Sequence, residues 1–236
     1  MKYSFVIPVN NEEDNLPPLL TEIDTVVKQL QGESEVIFID DGSTDNSLNC
    51  LKELKNRYPY IKVIIFDRNY GQSSGFAAGI QAATGEVIIT MDADLQNDPA
   101  DTLNLLKFYP QFEVVIGTRT KRNDSIVKLV SSRIGNGVRN LITRDSIRDT
   151  GCSLKIFKSE IIKKVRLYHG MHRFMPTLCR MYGAKVKEVP VNHRPRSKGK
   201  SHYGIGNRAL NGLMDTLAVR WMLERNLHYQ IKRIEQ

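Results

Sequence analysis

Two aspartates at the end of a short apolar run are the residues of this sequence best suited to chemistry. Asp92 and Asp94, separated by Ala93, follow the run at residues 87–91. Because side chains two positions apart in a strand point to the same side, both carboxylates can reach one ligand. Gln96 continues the spacing with a neutral carbonyl oxygen. Hard oxygen donors of this kind suit Mg²⁺ or Mn²⁺ on a diphosphate, although an isolated pair also occurs in ordinary acidic turns.

Short apolar runs alternate along the chain with segments of helical periodicity. The runs predict strands at residues 3–9, 36–40, 61–66, 87–91 and 114–117, and the periodic segments predict helices at 16–30, 47–58, 75–83 and 99–108. This alternation predicts an α/β, Rossmann-like fold, in which a mostly parallel central sheet carries helices on both faces. Such folds bind ligands beyond the carboxyl ends of their strands.

Polar residues follow each of the first four predicted strands. The four segments are residues 8–12, 40–43, 68–71 and 92–94. Since the carboxyl ends of parallel strands meet at one edge of a sheet, we expect these loops to form a single site. Four converging loops are more informative than the aspartate pair alone.

The composition is that of an ordinary globular protein of 236 residues with a formal net charge of +8. Positive charge favours an anionic partner, such as a lipid surface or a phosphorylated substrate. Nucleic acid is disfavoured, because no recognition helix, zinc-ligand spacing or aromatic stacking signature accompanies the charge. Cys50, Cys152 and Cys179 predict neither a disulfide framework nor a zinc cluster, which fits the cytoplasm. The apolar runs are too short for a signal peptide or a spanning helix, so we expect neither.

Six short segments, taken together and in order, resemble the family 2 glycosyltransferases of the GT-A type. They lie at residues 8–12, 40–45, 92–96, 117–119, 149–155 and 193–201. Within that family the sequence is similar to the polyprenyl-phosphate group, of the dolichyl-phosphate mannose synthase type, over about residues 3–206. The chain departs from the group in two respects. Many members continue into transmembrane helices, and His202 stands where a lysine is common.

The resemblance implies a nucleotide-binding set and a metal-binding set. The nucleotide-binding residues would be Pro8, Asn10, Glu12, Asp41, Asp92, Ala93 and Asp94. Asp94 would bind Mg²⁺ or Mn²⁺ directly with help from Gln96, and Asp92 would hold the ribose or reach the metal through water. For Asp41 a second interpretation stays open, because an aspartate in an acidic loop also forms Asx turns or caps a helix.

The acceptor site that the resemblance implies is cationic. Arg119 and Arg133 would bind the phosphate of a polyprenyl phosphate, because guanidinium groups bind phosphate oxygens in a bidentate manner. Two solvated arginines are the alternative. A phosphate monoester is already an anion near neutral pH and needs no strong base. Asp149 would orient the acceptor or, alternatively, only order its own loop. Asp92, Asp94, Arg119 and Asp149 form the predicted catalytic set.

Residues 194–206 form a basic segment rich in Gly and Ser. The resemblance implies a lid in which Arg194, Arg196 and Lys200 close over the donor phosphates. A solvated charged face is the alternative interpretation.

A helical segment at residues 207–236 is predicted to follow a catalytic domain at residues 1–206. Its apolar stripe at helical spacing comprises Leu210, Leu213, Met214, Leu217 and Trp221. The stripe predicts an amphipathic helix that either docks on the domain or lies on an anionic membrane surface. It would also allow oligomers to form.

Together with the resemblance, these features predict an inverting, metal-dependent glycosyltransferase that is peripheral at the cytoplasmic, inner face of a membrane. It would transfer a sugar from a donor such as GDP-mannose or a UDP-hexose to dolichyl or undecaprenyl phosphate. Two alternatives stay open. One is transfer to a saccharide hydroxyl in polysaccharide synthesis, and the other is a catalytically silent scaffold that binds nucleotide sugars.

Overall fold

Seven strands form one sheet in the described part of the computed structural model, which is residues 1–119, 126–195, 206–227 and 233. For residues 126–134 and 206–210 only the helical backbone is described. The strands are β1 (Lys2–Val9), β2 (Glu33–Asp40), β3 (Ile61–Ile65), β4 (Val87–Thr90), β5 (Val114–Arg119), β6 (Lys155–Lys158) and β7 (Val186–Val191). The helices are α1 (Leu16–Val27), α2 (Ser47–Arg57), α3 (Gln72–Ala82), α4 (Asp101–Leu106), α5 (Ile126–Thr143), α6 (Ser159–Ile162), α7 (Met175–Arg180) and α8 (Gly206–Arg225), with a 3-10 turn at Met171–Phe174.

The sheet is mostly parallel, as predicted. Its strands lie in the order β3-β2-β1-β4-β6-β5-β7. Strand β6 pairs antiparallel with both β4 and β5, whereas the other pairings are parallel. The carboxyl ends of β1, β2, β4 and β5 therefore meet at one edge. The predicted strands and helices are all present with shifted ends, and the sequence patterns did not predict β6 and β7.

Helices cover both faces of the sheet. On one face α1, α2 and α4 bury leucines such as Leu20 and Leu51. On the other face α3, α7 and α8 bury Phe76, Leu178 and Val219. A sheet covered on both sides needs apolar residues at successive positions, which explains the continuous Val and Ile runs of its central strands.

Gly79 lets α3 approach the sheet closely. A Cβ atom at this position would lie 2.4 Å from Val6 Cγ1 and 2.7 Å from Ile39 Cδ1, which is too close for either neighbour to stay in place. The helix therefore lies against β1 and β2. This packing holds the first residue of α3, Gln72, at the carboxyl edge of the sheet.

Glu35 is a buried carboxylate that ties β2 to β1 and to the turn before β4. Its Oε1 accepts hydrogen bonds from Ser4 Oγ (2.5 Å) and from the backbone N–H of Thr84 (2.6 Å), and its Oε2 pairs with Lys62 Nζ (2.7 Å). Burial opposes ionisation of this carboxyl group. The hydrogen bonds from Lys62, Ser4 and Thr84 outweigh that effect and lower its pKa to about 2.

Glu35→Gln is expected to lower the free energy of unfolding by about 1–3 kcal/mol at pH 7, because the amide loses charge-assisted hydrogen bonds. The folded-state pKa lies below the ordinary value of 4.5, so this stabilisation is present above that value and declines as the pH falls toward 2. Urea unfolding at pH 7 and pH 3 measures the effect. Glu33→Gln is the matched control, because Glu33 lies on the same strand with an exposed side chain. Equal losses at both pH values would contradict the ionic role of Glu35.

The C-terminal helix α8 packs on α5 and places Val219 in the core. None of the described helices combines the length and the apolar composition needed to cross a bilayer. The division of the chain at residue 206 stays a prediction.

Candidate active site

The loops after β1 and β2 are joined by hydrogen bonds at the carboxyl edge of the sheet. Asn10 Nδ2 donates to the carbonyl oxygen of Asp41 (2.8 Å), and Asn11 Oδ1 accepts from the backbone N–H of Thr44 (2.7 Å). Asn11 has a left-handed backbone with φ 57°. This conformation turns the chain sharply after β1, so that the residues after the turn lie against the second loop.

Glu12 and Pro8 have distinct neighbours in this edge. The backbone N–H of Glu12 donates to Ser47 Oγ (2.8 Å), and its carboxylate accepts from Asn15 Nδ2 (2.5 Å). Pro8 packs on the first turns of α3, where a Cβ atom at Gly75 would lie 2.9 Å from Pro8 Cβ. The nucleotide-binding roles of Pro8, Asn10 and Glu12 stay predictions.

Asp41 holds the third loop of the site. Its carboxylate is 3% exposed, and its two oxygens accept from the backbone N–H groups of Tyr70 (2.6 Å) and Gly71 (2.9 Å). Gly71, with φ 86°, turns the chain into α3. Both contacts reach the loop after β3, whereas an Asx turn would lie within the loop of Asp41 itself. The contact of Asp41 with a nucleotide stays a prediction.

Asp92 and Asp94 lie just beyond the end of β4. Asp92 Oδ1 accepts from Gln72 Nε2 (2.5 Å), the backbone N–H of Asp92 donates to Ser153 Oγ (3.0 Å), and Asp94 Oδ1 accepts from the backbone N–H of Gln96 (3.2 Å). Burial and the neighbouring carboxylate of Asp94 raise the pKa of Asp92 to about 6. Two neighbouring, half-buried carboxylates fit a divalent cation, which would relieve their mutual repulsion.

The predicted metal residues are compatible with such an ion. The side-chain nitrogen of Gln96 lies 3.4 Å from the carbonyl oxygen of Arg194, and the side-chain oxygen of Gln96 takes no part in this contact. Among the described residues, no third His, Cys, Asp or Glu joins Asp92 and Asp94 in a metal-binding group. Further ligands of a metal here would therefore come from substrate or water, as is usual for Mg²⁺. The metal-binding roles of Asp94 and Gln96 stay predictions.

Gln72 and Ser153 are site residues that the sequence analysis missed. Ser153 Oγ also accepts from Asn97 Nδ2 (2.7 Å), and Ser153 O accepts from Thr90 Oγ1 (2.8 Å), so that Ser153 fixes both sides of the turn at Asp92. The sequence signal that could have identified Ser153 is its position inside the segment at residues 149–155. For Gln72 the only such signal is its position next to Gly71.

Arg119 and Asp149 form a bidentate ion pair at the end of β5. Arg119 Nε lies 2.7 Å from Asp149 Oδ2, and Arg119 Nη2 lies 2.8 Å from Asp149 Oδ1. The backbone N–H groups of Arg119 and Gly151 donate to the same carboxylate. Asp149 therefore orients the Arg119 side chain and orders its own loop. Its predicted catalytic role remains untested.

The Asp149 loop is itself held from two sides. Glu188 of β7 accepts at Oε1 from the backbone N–H groups of Arg148 (2.8 Å) and Asp149 (3.3 Å). Arg139 of α5, which is buried, donates to Thr150 Oγ1 (2.6 Å). These contacts make the Arg119–Asp149 pair a rigid feature of the site.

The predicted lid and acceptor residues are only partly described. Arg196 and Lys200 lie outside the described residues, as does the side chain of Arg133 in α5. Arg194 pairs with Glu22 (2.8 Å) and Asp98 (2.9 Å), so it anchors the start of the basic segment beside the Asp92 turn.

An apolar surface of α5 and α8 faces solvent. It consists of Val138, Leu141, Leu213, Met214, Leu217 and Trp221, of which Trp221 is 63% and Leu141 82% exposed. The opposite side of α8 docks through Val219 and Thr216, which are buried. The described stripe residues therefore do not pack on the domain, and the α5 residues extend a surface that the sequence assigned to α8 alone.

The fold is of the GT-A type, a class that solved structures define. Glucosyl-3-phosphoglycerate synthase from Mycobacterium tuberculosis, solved with Mn²⁺ and uridine-diphosphate-glucose, superposes with a TM-score of 0.69 at 16% identity. The match covers 93% of this chain and 78% of that one. At this identity the likeness concerns the fold alone.

Sequence comparison gives the family directly. Residues 4–166 match the model of glycosyl transferase family 2, and the chain belongs to that family. It is 39% identical over 206 residues to undecaprenyl-phosphate 4-deoxy-4-formamido-L-arabinose transferase from Proteus mirabilis, covering 86% of this chain and 63% of that protein. It is 34% identical over 229 residues to dodecaprenyl-phosphate galacturonate synthase from Rhizobium johnstonii, covering 94% of this chain and 68% of that protein. The chain thus spans about two thirds of the length of these relatives.

Proposed function

We propose that this protein transfers a sugar from a nucleotide diphosphate sugar to a polyprenyl phosphate, with inversion at the anomeric carbon. The observation that carries the proposal is the arrangement of Asp92 and Asp94 after β4 and of the Arg119–Asp149 pair after β5, on the two sides of β6. The names of both relatives include a polyprenyl phosphate, which supports this class of acceptor.

The donor side of the site would be built on Asp92, Asp94 and Gln96. Asp94 and the Gln96 carbonyl oxygen would hold Mg²⁺ or Mn²⁺, which neutralises the charge that develops on the leaving nucleoside diphosphate. Asp92, whose carboxylate is held by Gln72 and whose backbone N–H is held by Ser153, would bind the ribose or reach the metal through water. The loops at residues 8–12 and 40–43 would surround the nucleotide.

The acceptor side would be built on Arg119. Asp149 holds Nε and Nη2 of Arg119, so the guanidinium group has a fixed orientation at the end of β5, where it would bind a phosphate oxygen. Arg133 and the basic lid residues Arg196 and Lys200 would add positive charge. The phosphate oxygen is a nucleophile without deprotonation near neutral pH, because its second pKa is about 6.

Transfer to a saccharide hydroxyl is the second candidate function. It would need a general base, and both carboxylate oxygens of Asp149 are engaged by Arg119 and backbone N–H groups. The third candidate, a silent scaffold, would not need an oriented arginine opposite two carboxylates. The phosphate acceptor therefore has the most support.

The test is a panel of GDP- and UDP-sugars, each incubated with a short polyprenyl phosphate and Mn²⁺. Mass spectrometry of the lipid product should find one donor that gives a glycosyl-phosphate lipid. Transfer only to saccharides would favour the second candidate. Binding of nucleotide sugars without any product would favour the scaffold.

The exposed apolar surface of α5 and α8 gives a separate prediction of membrane contact. Arg225 follows Trp221 by four residues on α8 and therefore lies on the same side of the helix, so anionic headgroups would meet both apolar and cationic side chains. Wild-type protein should co-sediment with anionic liposomes and be released by salt. Trp221→Ala should weaken the binding about fivefold or more, since it removes a large apolar area that the membrane would bury.

Ile65→Ala is the matched control for this experiment, because Ile65 is exposed on the edge strand β3. It should leave liposome binding unchanged. If Trp221→Ala binds liposomes as wild type does but shifts an oligomer to a monomer in sedimentation, the surface contacts a second copy rather than a membrane.

A further inference from the structure

Lys155 is a buried cation between the two halves of the candidate site. It lies on β6, paired with Thr90 of β4 and Ile116 of β5, and 3% of its surface is exposed. The chain reaches Asp92 two residues after Thr90 and Arg119 three residues after Ile116. Lys155 therefore lies on the strand between the donor side of the site, at Asp92, and the acceptor side, at Arg119.

The ammonium group of Lys155 has donors that no described residue uses. It makes no hydrogen bond and no close ion pair within the described part of the chain, and its nitrogen is not among the fully buried unpartnered atoms there, so solvent reaches it. Burial lowers its pKa, and the Cys152 thiol group and the carboxylates of Asp92 and Asp149 oppose that shift. Neither carboxylate forms a hydrogen bond or a close ion pair with Lys155. Asp149 binds Arg119, and Asp92 binds Gln72. An ammonium group on a buried side chain, with three N–H donors that bond to no described residue, is suited to a ligand that supplies acceptors.

We propose that Lys155 is a third cation of the acceptor site and that its ammonium group binds a phosphate oxygen of the acceptor. This inference rests on the proposed acceptor class. Asp149 balances the charge of Arg119, so that pair contributes little net positive charge. A phosphate monoester carries between one and two negative charges near neutral pH. Lys155 supplies the missing charge from the sheet side, as a compact point charge with rotatable donors.

The experiment measures the binding of farnesyl phosphate by titration calorimetry, without donor or metal. Lys155→Met keeps the length of the side chain and removes its charge, and it should weaken binding about tenfold or more. Lys155→Arg keeps the charge and should bind within about threefold of wild type. Thermal unfolding of each variant checks the fold, and Lys155→Gln replaces the Met variant if the latter does not fold.

A structural role as counter-ion of Asp92 gives a different pattern. In that case Lys155→Met weakens binding only because it leaves Asp92 unbalanced, and the loss disappears when Asp92→Asn is also present. Direct contact with the phosphate predicts the same loss in both backgrounds, which a double-mutant cycle measures. If Lys155→Met weakens binding when Asp92 is intact but not when Asp92→Asn is also present, the proposal is overturned.

The proposed function and the role of Lys155 fail in distinguishable ways. Unchanged binding by folded Lys155→Met, beside normal wild-type binding, removes Lys155 from the acceptor site and leaves the acceptor class intact. Wild-type protein that does not bind farnesyl phosphate, or binds farnesol equally well, would overturn the acceptor class and the role of Lys155 with it.

Discussion

Asp94→Ala is expected to reduce sugar transfer by about 1000-fold or more, since a metal ligand at the leaving diphosphate contributes several kcal/mol to the barrier and each 1.4 kcal/mol is about tenfold in rate. EDTA should cause the same loss, and added Mn²⁺ or Mg²⁺ should reverse it. The measurement is the rate at which glycosylated lipid forms. The fold should persist, because within the described part of the chain the Asp94 side chain accepts only a local hydrogen bond from the N–H of Gln96.

Glu53→Ala is the control for loss of an acidic side chain, because Glu53 lies exposed on α2, away from the site. It should transfer sugar at the wild-type rate. Full activity of Asp94→Ala, or of wild type in EDTA, would remove the metal from the proposed mechanism. A large drop in thermal stability of Asp94→Ala would assign its loss of activity to folding instead.

Arg119→Lys is expected to raise the KM for polyprenyl phosphate about 10- to 100-fold while the affinity for the donor stays nearly constant. Lysine keeps the charge, but it cannot bind Asp149 through two nitrogens and still direct a further N–H group to a phosphate. Steady-state kinetics with each substrate varied in turn separates the two effects.

Two companion variants sharpen this test. Arg148→Lys changes an exposed arginine next to Asp149 in the chain and should leave both KM values unchanged. Asp149→Asn should raise the acceptor KM less than Arg119→Lys does, because it loosens Arg119 without removing its guanidinium group. If Arg119→Lys weakened donor binding as much as acceptor binding, Arg119 would belong to the diphosphate side.

The main strands and the position of the site were predictable because each depends on local sequence. Uninterrupted Val and Ile runs identified β1, β2 and β4, and parallel order places the loops after them at one edge. The position of Asp92 and Asp94 at this edge was predictable for the same reason, since both directly follow such a run, while their metal-binding role stays a prediction.

Strands β6 and β7 were missed for physical reasons. Strand β6 has four residues, and lysines stand at both of its ends, so it carries no apolar run. Strand β7 contains Pro190, which is tolerated because β7 is an edge strand of the sheet. Neither pattern distinguishes a strand from a loop in the sequence alone.

The supporting contacts of the site were missed because they join residues far apart in the chain. Gln72 reaches Asp92 across 20 residues, and Glu188 reaches the N–H of Arg148 across 40. The outward direction of the α8 stripe was also undecidable from periodicity, because helical spacing does not reveal which face meets the core. Burial of Val219 decides it.

The most direct test of the proposed function compares two acceptors that differ only in the phosphate. Purified protein, Mn²⁺ and the active nucleotide sugar would be incubated with a polyprenyl phosphate or with the polyprenol of the same chain length. Mass spectrometry would then identify the lipid products. We predict a glycosyl-phosphate lipid from the phosphate and no glycosylated product from the alcohol. Equal glycosylation of the polyprenol would contradict the proposed function.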